Sequence, residues 1–429
     1  MMKIYDFDKV SPAEIFDRDR GNQRLDIRDT VTDILNQVRD QGDQALYGFC
    51  EKFAKVKLSS LEVSSQEIET AFAEIDPDLL KTLTLAADNI RSFHLNQVRS
   101  GFIVTAPNGV VMGQRVLPIQ RVGIYVPGGT AAYPSTVLMN AVPAKIAGCQ
   151  KIVMMTPPQK DGSVSPAILA AAKLAGVDRI FKVGGAQAIG ALAYGTETVP
   201  RVDKITGPGN AFVAEAKRQV FGRVAIDMIA GPSEILVVAD GNSNARQVAA
   251  DLLSQAEHDR MAAAVLVTNS MALAQAVQQE IETQLAVLPR EEIARTSIEN
   301  NGKIIVVEDL SRAIEVSNEI APEHLELDMD NPFDYLDQVK NAGSVFLGRN
   351  CPEALGDYVA GPNHTLPTSG TARFYSPLSV DDFVKKTQYT YYTPAALNTV
   401  KDDIVRFARQ EGLEAHARSV LSRFEEAGK

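Results

Sequence analysis

The sequence predicts an α/β protein built from two parallel-sheet units, with a helical N-terminal part and a helical C-terminal tail. Three observations carry this expectation. From Arg121 onward, short β-branched runs alternate with glycine- or proline-containing turns and alanine-rich helical stretches. A second set of such runs begins at Ile235. Outside both sets, apolar residues recur at the three- and four-residue spacing of amphipathic helices.

In chain order, Val31, Ile34, Leu35 and Val38, and then Leu79, Leu80, Leu83, Leu85 and Ala86, mark helices in the first hundred residues. The first strand set is Val122-Gly123-Ile124-Tyr125-Val126, Ile152-Val153-Met154-Met155, Ile180-Phe181-Lys182-Val183 and Lys204-Ile205. The second is Ile235-Leu236-Val237-Val238, Ala264-Val265-Leu266-Val267, Ile304-Ile305-Val306-Val307 and Ser344-Val345-Phe346-Leu347. Strand, turn, helix, strand is the pattern of a parallel sheet covered on both faces. The two units are expected to face each other across a cleft. After about Pro377 a less regular connection, 385–392, leads into an amphipathic C-terminal helix pair.

The chain has 429 residues, 45% of them hydrophobic and 23% charged, enough for two or three domains with ample cores. Its 43 basic and 54 acidic residues give a net charge of −11, which argues against nucleic acid or an anionic membrane as the main partner. A small-molecule ligand is expected instead. Three cysteines without CxxC spacing suit a reducing compartment. The N-terminal segment lacks a basic region followed by an apolar run, and no apolar stretch is long enough to span a bilayer, so the expected location is cytoplasmic.

Four of the five histidines lie in short polar segments, and imidazole both binds metals and moves protons near neutral pH. Gln255 and His258 are three apart on a helix expected to start near Asn242-Ser243-Asn244, so both face one direction, toward an ion or toward solvent. Pro322 ends a helix and leaves Glu323 and His324 on a turn entering an extended stretch, where an imidazole base with a neighbouring carboxylate suits proton abstraction. The segment 351–367 is too rich in glycine and proline for a helix or inner strand and reads as a long loop presenting Asp357 and His364. On the last helix Leu413, His416, Ala417, Val420, Leu421 and Phe424 form one stripe, which makes His416 either a buried, hydrogen-bonded residue or a ligand delivered by a docked tail. Glycine-rich turns at Val126-Pro127-Gly128-Gly129-Thr130, Val183-Gly184-Gly185-Ala186-Gln187 and Thr206-Gly207-Pro208-Gly209-Asn210 are either anion-binding backbone cradles or plain turns.

Taken together, these segments resemble the histidinol dehydrogenase family over nearly the whole chain. The resemblance is carried by Arg121-Val122-Gly123-Ile124-Tyr125-Val126-Pro127-Gly128-Gly129 and by 133–139, 183–187, 207–212, 227–234, 251–258, 321–325 and 356–367, in that order. It implies two incomplete Rossmann-like units and oxidation of L-histidinol through L-histidinaldehyde to L-histidine with two NAD, at the end of histidine biosynthesis. It further implies one zinc ion per subunit of a homodimer, held by Gln255, His258, Asp357 and a tail-exchanged His416. His324 then matches the general base and Glu323 the carboxylate that activates water. Ser233, His364 and Glu411 match substrate contacts, beside the metal-site residues and His324, while Tyr125, Gln187 and Asn210 match NAD contacts.

The expected domain division is an N-terminal arm over 1–20, a first α/β domain from 21–120 plus 234–377, an NAD-binding second domain over 121–233, and a dimerisation tail over 378–429. Three rivals keep the same residues but change the activity. A paralogous dehydrogenase would act on another alcohol, a zinc hydrolase would work without NAD, and a purely structural metal would staple a dimer.

Overall fold

The computed structural model describes residues 1–11, 15–16, 25–128 and 132–425. Gly129 and Thr130, part of the first glycine-rich turn, fall outside them. In chain order the strands are β1 (Lys3–Asp6), β2 (Phe102–Thr105), β3 (Val111–Pro118), β4 (Arg121–Tyr125), β5 (Lys151–Met155), β6 (Arg179–Phe181) and β7 (Lys204–Thr206). Then follow β8 (Ala225–Ile226), β9 (Glu234–Ala239), β10 (Ala263–Thr268), β11 (Lys303–Val306), β12 (His324–Asp328), β13 (Ser344–Leu347) and β14 (Val384–Tyr391).

Two compact units emerge, one of 1–98 with 119–383 and one of 99–118 with 384–429. The larger contains two all-parallel sheets, ordered β6-β5-β4-β7-β8 and β1-β11-β10-β9-β12-β13. Both are buried on both faces, which is why their strands read as continuous apolar runs. Along β4 and β5, Val122, Ile124, Ile152 and Met154 face one core, while Tyr125, Val153 and Met155 face the other. The six-stranded sheet divides likewise, with Ile235, Val237, Leu266 and Ile304 on one side and Leu236, Val238, Val267 and Leu325 on the other.

Packing of the N-terminal helices differs from the expected division. Val31, Ile34, Leu35 and Val38 sit in one core of the five-stranded sheet, and Leu83, Ala86 and Ile90 in the other. These helices therefore cover the sheet of 121–233, not that of 234–377. The first residues are also more than an arm, because β1 extends the six-stranded sheet by pairing with β11.

In the smaller unit, β14 pairs antiparallel with β3 over eight residues, from Val384 opposite Pro118 to Tyr391 opposite Val111, and β2 flanks β3 on its other side. The segment expected to be an irregular connection is thus a strand. The C-terminal helix pair is present as Pro394–Gln410 and Glu414–Leu421.

Candidate active site

β9 and β12 are adjacent and parallel, so their amino ends lie side by side, and two titratable groups, Glu323 and His324, sit there. Glu323 precedes β12 and His324 is its first residue; both are nearly buried. One backbone residue orients the two side chains. The Glu234 N–H donates to Glu323 Oε2 at 2.8 Å, and His324 Nδ1 lies 3.0 Å from the Glu234 carbonyl oxygen. A carbonyl only accepts, so Nδ1 carries the proton and Nε2 presents a lone pair. That Nε2 is buried without a hydrogen-bond partner, 3.8 Å from Asp357 Oδ1. Burial pushes the His324 pKa below its ordinary 6.5, with Asp357 opposing the shift, and the imidazole is favoured as a neutral base. Glu323, 3.7 Å from His324 Nδ1, is shifted well upward by burial, with its neighbours Glu234, Asp357 and Glu353 adding to the shift.

The helix Ala245–Ala256 follows β9 and runs back across the sheet, so its C-terminal end arrives at the same amino edge. Asn244 caps its start by accepting the Arg246 N–H at 3.0 Å. Gln255 is on the last turn. His258 is not on the helix, as expected from the three-residue spacing, but on the turn beyond it, held by its N–H to the Gln255 carbonyl at 3.1 Å. Both polar atoms of the Gln255 amide are buried without partners, an arrangement that calls for a ligand, since buried polar groups are otherwise paired. His258 is close enough to disfavour protonation of both His324 and His364.

Asp357 lies on a short helix, Glu353–Tyr358, inside the segment expected to be a loop. Pro352 sits just before this helix, a position where the missing N–H does no harm. Gly356 lets the helix lie on the Phe346 ring, because a Cβ there would come within 2.5 Å of Phe346 Cε1. Phe346 in turn packs at 6.0 Å from the His324 ring. The true loop begins later and carries His364, whose Nδ1 bonds the Asp357 carbonyl at 3.1 Å and whose Nε2 meets Thr136 Oγ1 at 3.4 Å.

Glu353 is the residue the sequence reading missed. It is buried, its N–H donates to Glu326 Oε1 at 2.6 Å, and its Oε2 accepts from Ser254 Oγ at 2.8 Å. Burial, with Asp357 adding to the effect, pushes its pKa up to about 8. Among the described residues, His324, Glu353 and Asp357 offer ligand atoms within 4.8 Å of one another. Its four-residue spacing to Asp357 was the available signal, hidden once 351–367 was read as irregular.

Ser233 immediately precedes β9 on the same edge. Tyr125, Gln187 and Asn210 instead belong to the carboxyl ends of the five-stranded sheet, where open parallel sheets hold nucleotides. Tyr125 ends β4 and its hydroxyl accepts the Gly185 N–H at 3.0 Å; Gln187 is in the first turn of the helix that starts at Gly185. Asn210 caps Ala211–Val220. Glu411 and His416 lie in the smaller unit, Glu411 capping one helix end and His416 on the last helix, and both are exposed in the single chain. His416 is therefore not buried within its own chain.

Among the described residues no helix is long and apolar enough to cross a membrane. A family model described as histidinol dehydrogenase matches residues 17–424. Histidinol dehydrogenase of Clostridium acetobutylicum is 56% identical over 405 residues, 94% of each chain. That of Streptococcus mutans serotype c is 58% identical over 400 residues, 93% of each chain. The crystal structure of histidinol dehydrogenase from Elizabethkingia anophelis aligns with a TM-score of 0.92 at 40% identity, covering 99% of this chain and 98% of that one.

Proposed function

The chain belongs to the histidinol dehydrogenase family, an oxidoreductase of histidine biosynthesis that oxidises L-histidinol to L-histidine with NAD, and we propose how its residues divide that work. His324 is the general base of the alcohol step. Its Nε2 takes the hydroxyl proton as hydride leaves the carbinol carbon for the first NAD, giving L-histidinaldehyde, NADH and a proton. Glu323 assists addition of water to the aldehyde, and the hydrate then gives hydride to a second NAD and becomes the carboxylate. The observation that carries this reading is the buried, unpartnered Nε2 of His324, aimed by the backbone of the same residue, Glu234, that holds Glu323.

Gln255, His258 and Asp357, with His416 from a partner subunit, are the residues that would hold zinc. The fit rests on the Gln255 amide, which has no protein partner, and on the nitrogen and oxygen donors gathered beside Asp357. A bound zinc would supply a template that holds the substrate's imidazole and amine. Ser233, His364 and Glu411 read the substrate's polar groups, and Tyr125, Gln187 and Asn210 contact NAD. The exposure of Glu411 and His416 in one chain supports donation to a second copy, hence a homodimer with exchanged tails. The proposed location is the cytoplasm.

The test is the yield of NADH per L-histidinol consumed, before chelation, after it, and after zinc is restored. Two NADH, lost on chelation and recovered with zinc, are expected. One NADH with release of aldehyde would refute the two-step assignment, and undiminished activity after complete removal of metal would refute the zinc site.

A further inference from the structure

A buried ion pair between Lys217 and Asp227 has no part in the roles above. Lys217 lies on the helix Ala211–Val220 and Asp227 just after β8, with side chains 2% and 1% exposed. The Lys217 ammonium meets Asp227 Oδ1 and also donates to the Gly207 carbonyl oxygen at 3.0 Å. Asp227 Oδ2 accepts the Gly207 N–H at 2.8 Å. Both polar groups of Gly207 are thus held, one by each charge.

Gly207 is where the chain leaves β7 for the turn that leads to Asn210. Its φ is +112°, and a Cβ on it would come within 2.2 Å of the Tyr125 carbonyl oxygen, so the turn rides directly on the end of β4. Asn210 Oδ1 accepts from the N–H groups of Phe212 and Val213, at 3.1 and 3.2 Å, which ties the turn to the helix bearing Lys217. Gly207, Asn210, the helix and Lys217 therefore form a closed ring of contacts, with Asp227 as its second clamp.

Burying two charges seldom adds stability over well-packed apolar side chains. What such a pair can supply is a fixed geometry. We propose that Lys217 and Asp227 are positioning residues for the dinucleotide, holding the 207–210 turn against Tyr125 so that Asn210 is presented to NAD. This rests on the assignment of Tyr125, Gln187 and Asn210 as NAD contacts.

The experiment compares zinc-loaded full-length enzyme with Asp227→Asn and with the charge-free double variant Lys217→Met/Asp227→Leu. The double variant guards against misfolding, because it leaves no unpaired buried charge. KM for NAD is expected to rise about tenfold in Asp227→Asn, which weakens one charge-assisted hydrogen bond to Gly207, and at least as much in the double variant, which removes both. KM for L-histidinol and zinc content stay near wild type, and kcat at saturating NAD changes by less than about twofold. An unchanged KM for NAD in the folded double variant would overturn the proposal. Failure of both variants to fold would also overturn it, by making the pair a purely structural element. Asn210→Ala, measured in parallel, separates the two layers. If it raises KM for NAD while the pair variants do not, only the positioning role fails; if it has no effect, the assignment of the nucleotide turn itself fails.

Discussion

On the proposed roles, replacing Glu323 with glutamine should separate the second oxidation from the first. The carboxylate accepts the Glu234 N–H at 2.8 Å and is almost fully buried. A glutamine keeps size and acceptor, so the fold loses only the charge-assisted part of one hydrogen bond, about 1 kcal/mol. Relief of burying a charged group offsets some of that, since the same site already shifts the Glu323 pKa well upward. Removing a positioned base slows the step that needs it by roughly 10²–10⁴, or about 3 to 5 kcal/mol of barrier. Started with L-histidinaldehyde, the Glu323→Gln enzyme should make NADH slower by that factor. Started with L-histidinol in a single turnover, it should form the first NADH at close to the normal rate and then stall with aldehyde retained or released. Equal slowing of both half-reactions would refute the division between Glu323 and His324.

His324→Asn should keep its zinc and lose turnover by roughly 10²–10⁴; loss of zinc in elemental analysis would make His324 a ligand, as its grouping with Glu353 and Asp357 permits. Gly356→Ala places a Cβ against the Phe346 ring and should displace the helix that carries Asp357, lowering stability by about 1 to 3 kcal/mol and weakening zinc retention. A normal melting temperature with normal zinc content would contradict that packing account. His94 is buried, with Nδ1 2.7 Å from Gln97 Oε1 and Nε2 3.4 Å from Asn363 Nδ2, and burial lowers its pKa from 6.5. The unfolded chain binds that proton more readily, so the imidazole's contribution to stability is undiminished above pH 6.5 and declines as pH falls below it. Urea titrations should therefore show less acid sensitivity between pH 7.5 and 5.5 in His94→Gln than in the wild type, and identical slopes would count against the shift. Truncation before Glu411 should abolish activity and weaken self-association in sedimentation; a fully active truncated chain would sink the donated-ligand assignment.

Sheet strands buried on both faces were legible because burial makes them continuous apolar runs, as at Glu234–Ala239 and Ala263–Thr268. The strand Val384–Tyr391 was not, since Lys385, Lys386, Thr387 and Gln388 are all exposed and nothing in such a run announces a partner 270 residues away. The helix of Asp357 was concealed by a proline and a glycine that have specific work there, one preceding its first turn and the other fitting an aromatic ring. The packing of the N-terminal helices on the five-stranded sheet was invisible for a different reason. An amphipathic face reveals that it will be buried but not against which sheet. The candidate site was readable in its residue types, whereas Glu353, which has no motif of its own, became visible only through burial.

The backbone of Glu234 has an evolutionary consequence. Its N–H holds Glu323 and its carbonyl fixes the tautomer of His324, and neither group is encoded by the side chain at that position. Mutation can replace the residue but cannot delete its amide unless proline arrives. The aim of the Glu323 and His324 side chains is therefore insulated from most single-codon drift at position 234, and remains hostage instead to anything that shifts β9 by a fraction of an ångström along β12.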